Sequence, residues 1–182
     1  MFRIARLTLL LWLPCIAVWS QSSAADADSA YQGAVFKRTG LMVADLERSL
    51  TLYRDVLGLT VDEITASSNG ESFGYPTFKI PPQARFRFAT LSAGSQVRTF
   101  ALAEVTGIEL AQLRIPHATA VVFRVRDMAK TVKQVRALGL ELPPSNLDIS
   151  SSGAQFIEQP LVDFDGHLVV LYQPMPAPGQ GG

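Results

Sequence analysis

The chain has 182 residues, 48% of them hydrophobic, and its sixteen Lys and Arg balance sixteen Asp and Glu at a mean hydropathy of +0.20. That length suits one well-cored domain and is short for two. An even charge balance without a basic tract excludes nucleic-acid binding and attraction to anionic membranes, both of which rest on clustered Lys and Arg.

The chain opens like a secretory leader: Arg3 and Arg6, an apolar stretch from Leu7 to about Val18, then small residues. Cleavage after Ala24 or Ala25 fits, which makes residues 1–24 a signal peptide and 25–32 a flexible polar segment. The apolar run is about a dozen residues and contains Pro14, against the ~20 that a spanning helix needs, so a retained anchor is disfavoured. Lipid attachment at Cys15 is disfavoured too, because Pro14 stands where that processing wants a small residue. Cys15 is the lone cysteine and leaves with the leader. Disulfides, thiolate zinc sites and cysteine nucleophiles are thereby excluded from the exported protein. Losing Arg3 and Arg6 leaves fourteen basic against sixteen acidic residues, a net charge of −2. The expected location is periplasmic or secreted, with no stable membrane insertion after cleavage.

From about residue 33 the chain reads as two halves built alike. LMVADLERSLTLYRDVLGLTV is echoed by VFRVRDMAKTVKQVRALGLEL, with Asp45 matching Asp127, Arg54 matching Arg136, and Gly58 matching Gly139 after a one-residue slip. Each copy has an alternating strand, an aspartate suited to cap a helix, a helical apolar stripe and a glycine stop. The stripes are Leu46, Leu50, Tyr53 and Leu57 in the first copy, and Met128, Val132, Val135 and Leu138 in the second. Both aspartates read as purely structural caps. β-like stretches follow over Leu59–Ile64, Arg85–Leu91 and Val97–Val105, then Gln155–Ile157 and Leu168–Tyr172, separated by Ser, Gly, Asn and Asp turns. The tail 175–182, rich in Pro and Gly, is expected to be disordered.

GLMVADLERSLTLYRDVLGL is similar to the first motif of the vicinal oxygen chelate superfamily, the glyoxalase, bleomycin-resistance and dioxygenase fold. LVDFDGHLVVLYQP resembles that family's closing strand after an Asp-x-Asp-Gly turn. The resemblance spans roughly Phe36 to Gln173. It implies an α+β domain over 33–174, in which two βαβββ modules, about 33–112 and 113–174, form a curved sheet around a single cleft. In metal-dependent members, His, Gln or Glu side chains on equivalent strands hold a divalent ion that acts as a Lewis acid.

Carried onto this chain, the first ligand position, seven residues before the capping aspartate, is Arg38, and its counterpart is Ala120. The position on the last strand is Val170. None of the three side chains can coordinate a cation, since a guanidinium has donors only. The fourth position lies on TFALAEV, where Glu104 is the candidate ligand or catalytic base and the register is open by two residues. His117 is the next candidate, but its odd offset from Ala120 puts it on the opposite strand face unless a bulge intervenes. His167, beside the turn glycine, reads as turn chemistry. No cofactor is expected, and a divalent metal is disfavoured.

Alternation places Arg38, Gly40 and Met42, then Ala120, Val122 and Arg124, then Leu168, Val170 and Tyr172 on the cleft side. Leu41, Val43, Val121, Phe123 and Val125 would face the helices. The candidate ligand-binding residues are accordingly Arg38, Met42, Arg124, Val170 and Tyr172. Such an apolar, partly cationic surface implies a metal-independent binding protein for a small organic ligand, acting as a monomer or homodimer. Arg38 is either a ligand anchor or the structural partner of Glu104 across the cleft. The alternative function is a glyoxalase-type lyase or isomerase, or a dioxygenase, with a degenerate or displaced metal site.

Overall fold

A computed structural model describes residues 34–67, 74–111 and 115–176. The leader, the polar segment after it and most of the tail lie outside the described residues. In chain order the elements are β1 (Thr39–Val43), α1 (Leu46–Leu50) running into a π-helical turn (Thr51–Val56), β2 (Thr60–Ser67), α2 (Gly74–Phe78), β3 (Arg85–Ala93) and β4 (Gln96–Thr106). They continue with β5 (Ala120–Arg124), α3 (Met128–Ala137), β6 (Asn146–Ile149), β7 (Gln155–Val162) and β8 (Leu168–Pro174). The strands make two mixed four-stranded sheets, ordered β1-β4-β3-β2 and β5-β8-β7-β6. Each is one βαβββ module, with its first and last strands paired in parallel. The expected α+β architecture of two such modules is present, and neither sheet closes on itself. Among the described residues no helix is long and apolar enough to cross a membrane.

The helix starts follow from the repeated aspartates. Asp45 and Asp127 are both extended, and each side chain accepts a hydrogen bond from the amide three residues on, at Arg48 (3.0 Å) and Lys130 (2.9 Å). Each bond satisfies one of the amides that a first helical turn leaves free. Gly58 and Gly139 follow the helices with φ of +76° and +79°, a left-handed conformation that glycine adopts without strain.

The first helical stripe departs from a regular period. Beyond Leu50 the turn widens, and the amide of Leu57 donates to the carbonyl of Leu52 five residues back (2.9 Å). Leu52 is consequently buried beside Tyr53, whereas Leu57 is only half-buried.

Leu41, Val43, Leu46, Leu50, Tyr53, Val135, Leu161, Val169 and Leu171 form one cluster that runs across both modules. Val121, Phe123 and Val125 pack against it, so the odd-numbered side chains of β1 and β5 face the helices as alternation requires. Polar contacts from the β7–β8 turn tie the modules together. Asp163 accepts from the Tyr53 hydroxyl (2.7 Å), Asp165 from the Ala44 amide (2.8 Å), and His167 Nε2 bonds the Met42 carbonyl (2.8 Å). His167 is therefore placed at a joint between the modules as well as in a turn.

Candidate functional site

The sheet faces turned away from the helices differ between the modules. In the first, Phe86, Phe88, Ala101, Ala103 and Val105 form a second buried cluster with Tyr75 and Ile80, with Met42 and Phe78 packed against it. The short helix α2 lies over that face: a Cβ on Gly74 would come within 2.2 Å of the Phe86 ring. On the second module's corresponding face, Val122 remains 59% exposed and Arg124 is also exposed.

Register places the remaining expected residues. Gly40 pairs with Ala101 in the first module as Val122 pairs with Val170 in the second. The counterpart of Val170 is therefore Ala101, which settles the open register on TFALAEV: Glu104 lies three residues beyond it, an odd offset that turns it toward the helices. There Glu104 accepts from the Leu46 amide (2.8 Å) and pairs with Arg87 (3.3 Å) rather than with Arg38. The four ligand positions thus carry Arg38, Ala101, Ala120 and Val170. These side chains do not fit a divalent metal, since none of them offers a lone pair to a cation. Among the described residues no three His, Cys, Asp or Glu side chains are grouped as a metal ion requires. His117, half-buried just before β5, has no hydrogen bond to Glu104.

Arg85, Phe86, Arg87 and Phe88 alternate along β3. The two rings face away from the helices with Ala101 and Ala103, while Arg87 shares the helix-facing side with Glu104 and also pairs with Glu47 (2.8 Å). A cavity of about 340 Å³ borders Arg85, Phe86, Arg87 and Glu104 at this end of the strands.

A second cavity, about 250 Å³, opens at the other end, lined by Arg38, Glu63, Thr65, Phe88, Thr90 and Arg98. Arg38 Nε donates to the carbonyl of Arg98 (3.1 Å), and its guanidinium carbon stands 5.7 Å from the centre of the Phe88 ring. Arg98 pairs with Glu63 at 3.6 Å, an exposed contact of little energetic weight. Thr90 is 7% exposed, and among the described residues its hydroxyl has no hydrogen-bond partner. Leaving a buried hydroxyl unpaired costs about 1–3 kcal/mol. Of the expected ligand-binding residues, Arg38 lines this cavity and Met42 lies on the same face. Arg124, Val170 and Tyr172 sit together on the second sheet, where Tyr172 packs against Phe156 with ring centres 5.2 Å apart. Among the described residues neither cavity takes a wall from the second module. Glu63, Thr65, Thr90 and Arg98 were not anticipated as cavity residues. The one local signal was a threonine at 90, in phase with Phe86 and Phe88 in an otherwise apolar row.

The modules, their parallel first and last strands and the Asp-x-Asp-Gly turn define a class of protein. The chain belongs to the Glyoxalase/Bleomycin resistance protein/Dioxygenase superfamily, whose model matches residues 35–171. It is similar in fold to a glyoxalase family protein from Bacillus cereus, with TM-score 0.63 at 15% identity, covering 80% of this chain and 98% of that one. It is also similar to the trypanothione-dependent glyoxalase I of Leishmania major, with TM-score 0.53 at 17% identity, covering 78% and 87% of the two chains. The sequence matches no curated protein.

Proposed function

We propose that this chain is an exported, metal-independent small-molecule-binding protein that uses the first module's far face as its site. The supporting observation is the set of side chains at the four ligand positions. Arg38, Ala101, Ala120 and Val170 replace every donor, while a cavity persists beside Arg38. A site that had merely decayed would have no reason to keep an open volume bordered by converging polar groups, which is the usual composition of a ligand pocket. Glu104, the residue best suited to acid–base work, is engaged in holding a helix end, which favours binding over catalysis. The leader-like opening supports export, with cleavage after Ala24 or Ala25 and a periplasmic or secreted location.

The test has two arms on protein purified from an extracellular or periplasmic fraction without chelators. Elemental analysis is expected to find less than about a tenth of an equivalent of Zn, Ni, Mn or Fe, given the missing donor types. A thermal-shift screen of a chemically diverse small-molecule library is expected to yield ligands whose effect is lost when Phe88 is replaced by alanine. Stoichiometric metal together with metal-dependent turnover of a 2-oxoaldehyde adduct or a catechol would overturn the proposal. So would a screen in which no compound shifts the melting temperature.

A further inference from the structure

We propose that the cavity beside Arg38 and Thr90 takes a small organic acid. The ligand carboxylate lies on the guanidinium of Arg38, a second oxygen meets the Thr90 hydroxyl, and the apolar body rests against the Phe88 ring. This builds on the binding reading above and names the class of ligand for it.

The charge comes from Arg38. Its guanidinium reaches from the residue just before β1 toward a ring on β3, across β4, where Ala101 and Ala103 present only methyl groups. At Gly40 nothing lies within 4 Å of where a Cβ would stand, so the path remains open. Among the described residues only Nε is engaged, by the Arg98 carbonyl. Among the described residues Arg38 has no carboxylate partner. Its terminal nitrogens keep the planar fork of donors that matches a carboxylate. The other cation of the cavity, Arg98, is offset by Glu63. The cavity thus holds one uncompensated positive charge.

The second contact comes from Thr90. Thr90 lines this cavity, and its hydroxyl is closed off from solvent and has no partner among the described residues, so a ligand oxygen that meets it as the wall gives way removes the cost of burying it unpaired. The backbone of Arg98 points the same way. It is held at φ +52°, a left-handed conformation uncommon for a non-glycine residue, with its amide bonded to Ser92 Oγ (2.9 Å) and its carbonyl turned to Arg38. Strain of this kind persists where the surroundings impose it, and here it fixes the guanidinium's position. The 250 Å³ cavity, open to solvent on one side, exceeds the ~150 Å³ that encloses benzene and so has room for a ring. A single ring with one or two polar substituents suits it.

The probes are 4-hydroxybenzoate and its neutral counterpart 4-hydroxybenzamide, titrated into ¹⁵N-labelled protein. The acid is expected to bind about tenfold tighter or better, as a charge-assisted pair in place of a neutral one implies, with shifts centred on Phe88, Thr90 and Arg98. Arg38→Met, which keeps an apolar stem, is expected to erase the preference. Thr90→Val is expected to raise the melting temperature of the free protein while weakening the acid, a split that a purely structural threonine would not give. Equal binding of acid and amide at these residues would overturn the ligand class and leave the binding reading intact. Absence of shifts with either probe would overturn the inference, and the library screen then judges the binding reading separately.

Discussion

Glu104 and Gln173 occupy equivalent places in the two modules. Each stands at the end of its module's last strand and accepts a hydrogen bond from the first amide of its module's helix, Leu46 for Glu104 and Met128 for Gln173. The sequence repeat noted at Asp45 and Asp127 thus extends to a pair of residues with different charges and one shared task. The shared atom is a side-chain carbonyl-type oxygen, which both residue types provide.

Glu104→Gln is therefore expected to keep the Leu46 bond, as the second module makes it with an amide, and to lose only the ion pair with Arg87, a change of no more than about 1 kcal/mol. Glu104→Ala leaves the Leu46 amide without its partner, and an expected loss of about 1–2 kcal/mol follows from the usual worth of a helix cap. Urea denaturation of the two variants measures both. A catalytic Glu104 would instead make the glutamine variant inactive without a change in stability.

Tyr53 and Asp163 give a pH dependence with a definite sign. Burial, and after it the Asp163 carboxylate, push the Tyr53 phenol well above its ordinary range. The folded protein therefore keeps a proton that the unfolded chain has released. The resulting stabilisation is complete below about pH 10 and is lost as the pH rises through the folded-state value. Tyr53→Phe is expected to lose about 1–3 kcal/mol at neutral pH, because Asp163 gives up one donor in a buried place. Its stability should also fall less steeply than that of the unaltered protein above about pH 10. Chemical denaturation across that range distinguishes the two curves.

Gly74→Ala tests the cover over the first module's far face. The added methyl would meet three atoms of the Phe86 ring at 2.2–2.8 Å, so α2 or the ring must move. Overpacking of this kind costs about 1–3 kcal/mol. Differential scanning calorimetry should show that loss, and the chemical shifts of Tyr75 and Phe78 should move with it.

Arg98→Gly examines the left-handed backbone near the start of β4. Glycine removes a left-handed penalty of about 1–2 kcal/mol but adds roughly 0.5–1 kcal/mol of unfolded-state entropy, so stability should change by no more than about 1 kcal/mol. The Arg98–Glu63 contact is exposed and alters that balance little. A loss beyond about 2 kcal/mol would show that the side chain has a structural role that this contact does not explain.

The fold was legible because it is written twice. Capping aspartates, apolar stripes and glycine stops are local signals, and alternation assigned the faces of β1 and β5 correctly. Local signals also explain what was missed. β6 is an edge strand exposed along its whole length, and although Asn146–Ile149 alternates polar and apolar residues, four residues are too few for the alternation to mark a strand. α2 has five residues with Pro76 among them, too short to show a helical period. The position of Ala101 depends on parallel pairing with β1, a relationship between segments sixty residues apart that no pattern within TFALAEV contains. Thr90 was out of reach for a related reason, since its significance lies in the partner it lacks.

Arg38 has one consequence for how such a protein operates. A metal centre depends on supply, and it can be stripped by a chelator or filled by the wrong ion. A guanidinium in that place is synthesised with the chain and is charged at any physiological pH. Every folded copy therefore carries the same positive group from the start, whatever metal its surroundings hold. The guanidinium also has a chemical limit. A donor-only cation can hold and orient an anion, but it cannot accept an electron pair from a substrate oxygen as an open metal site does.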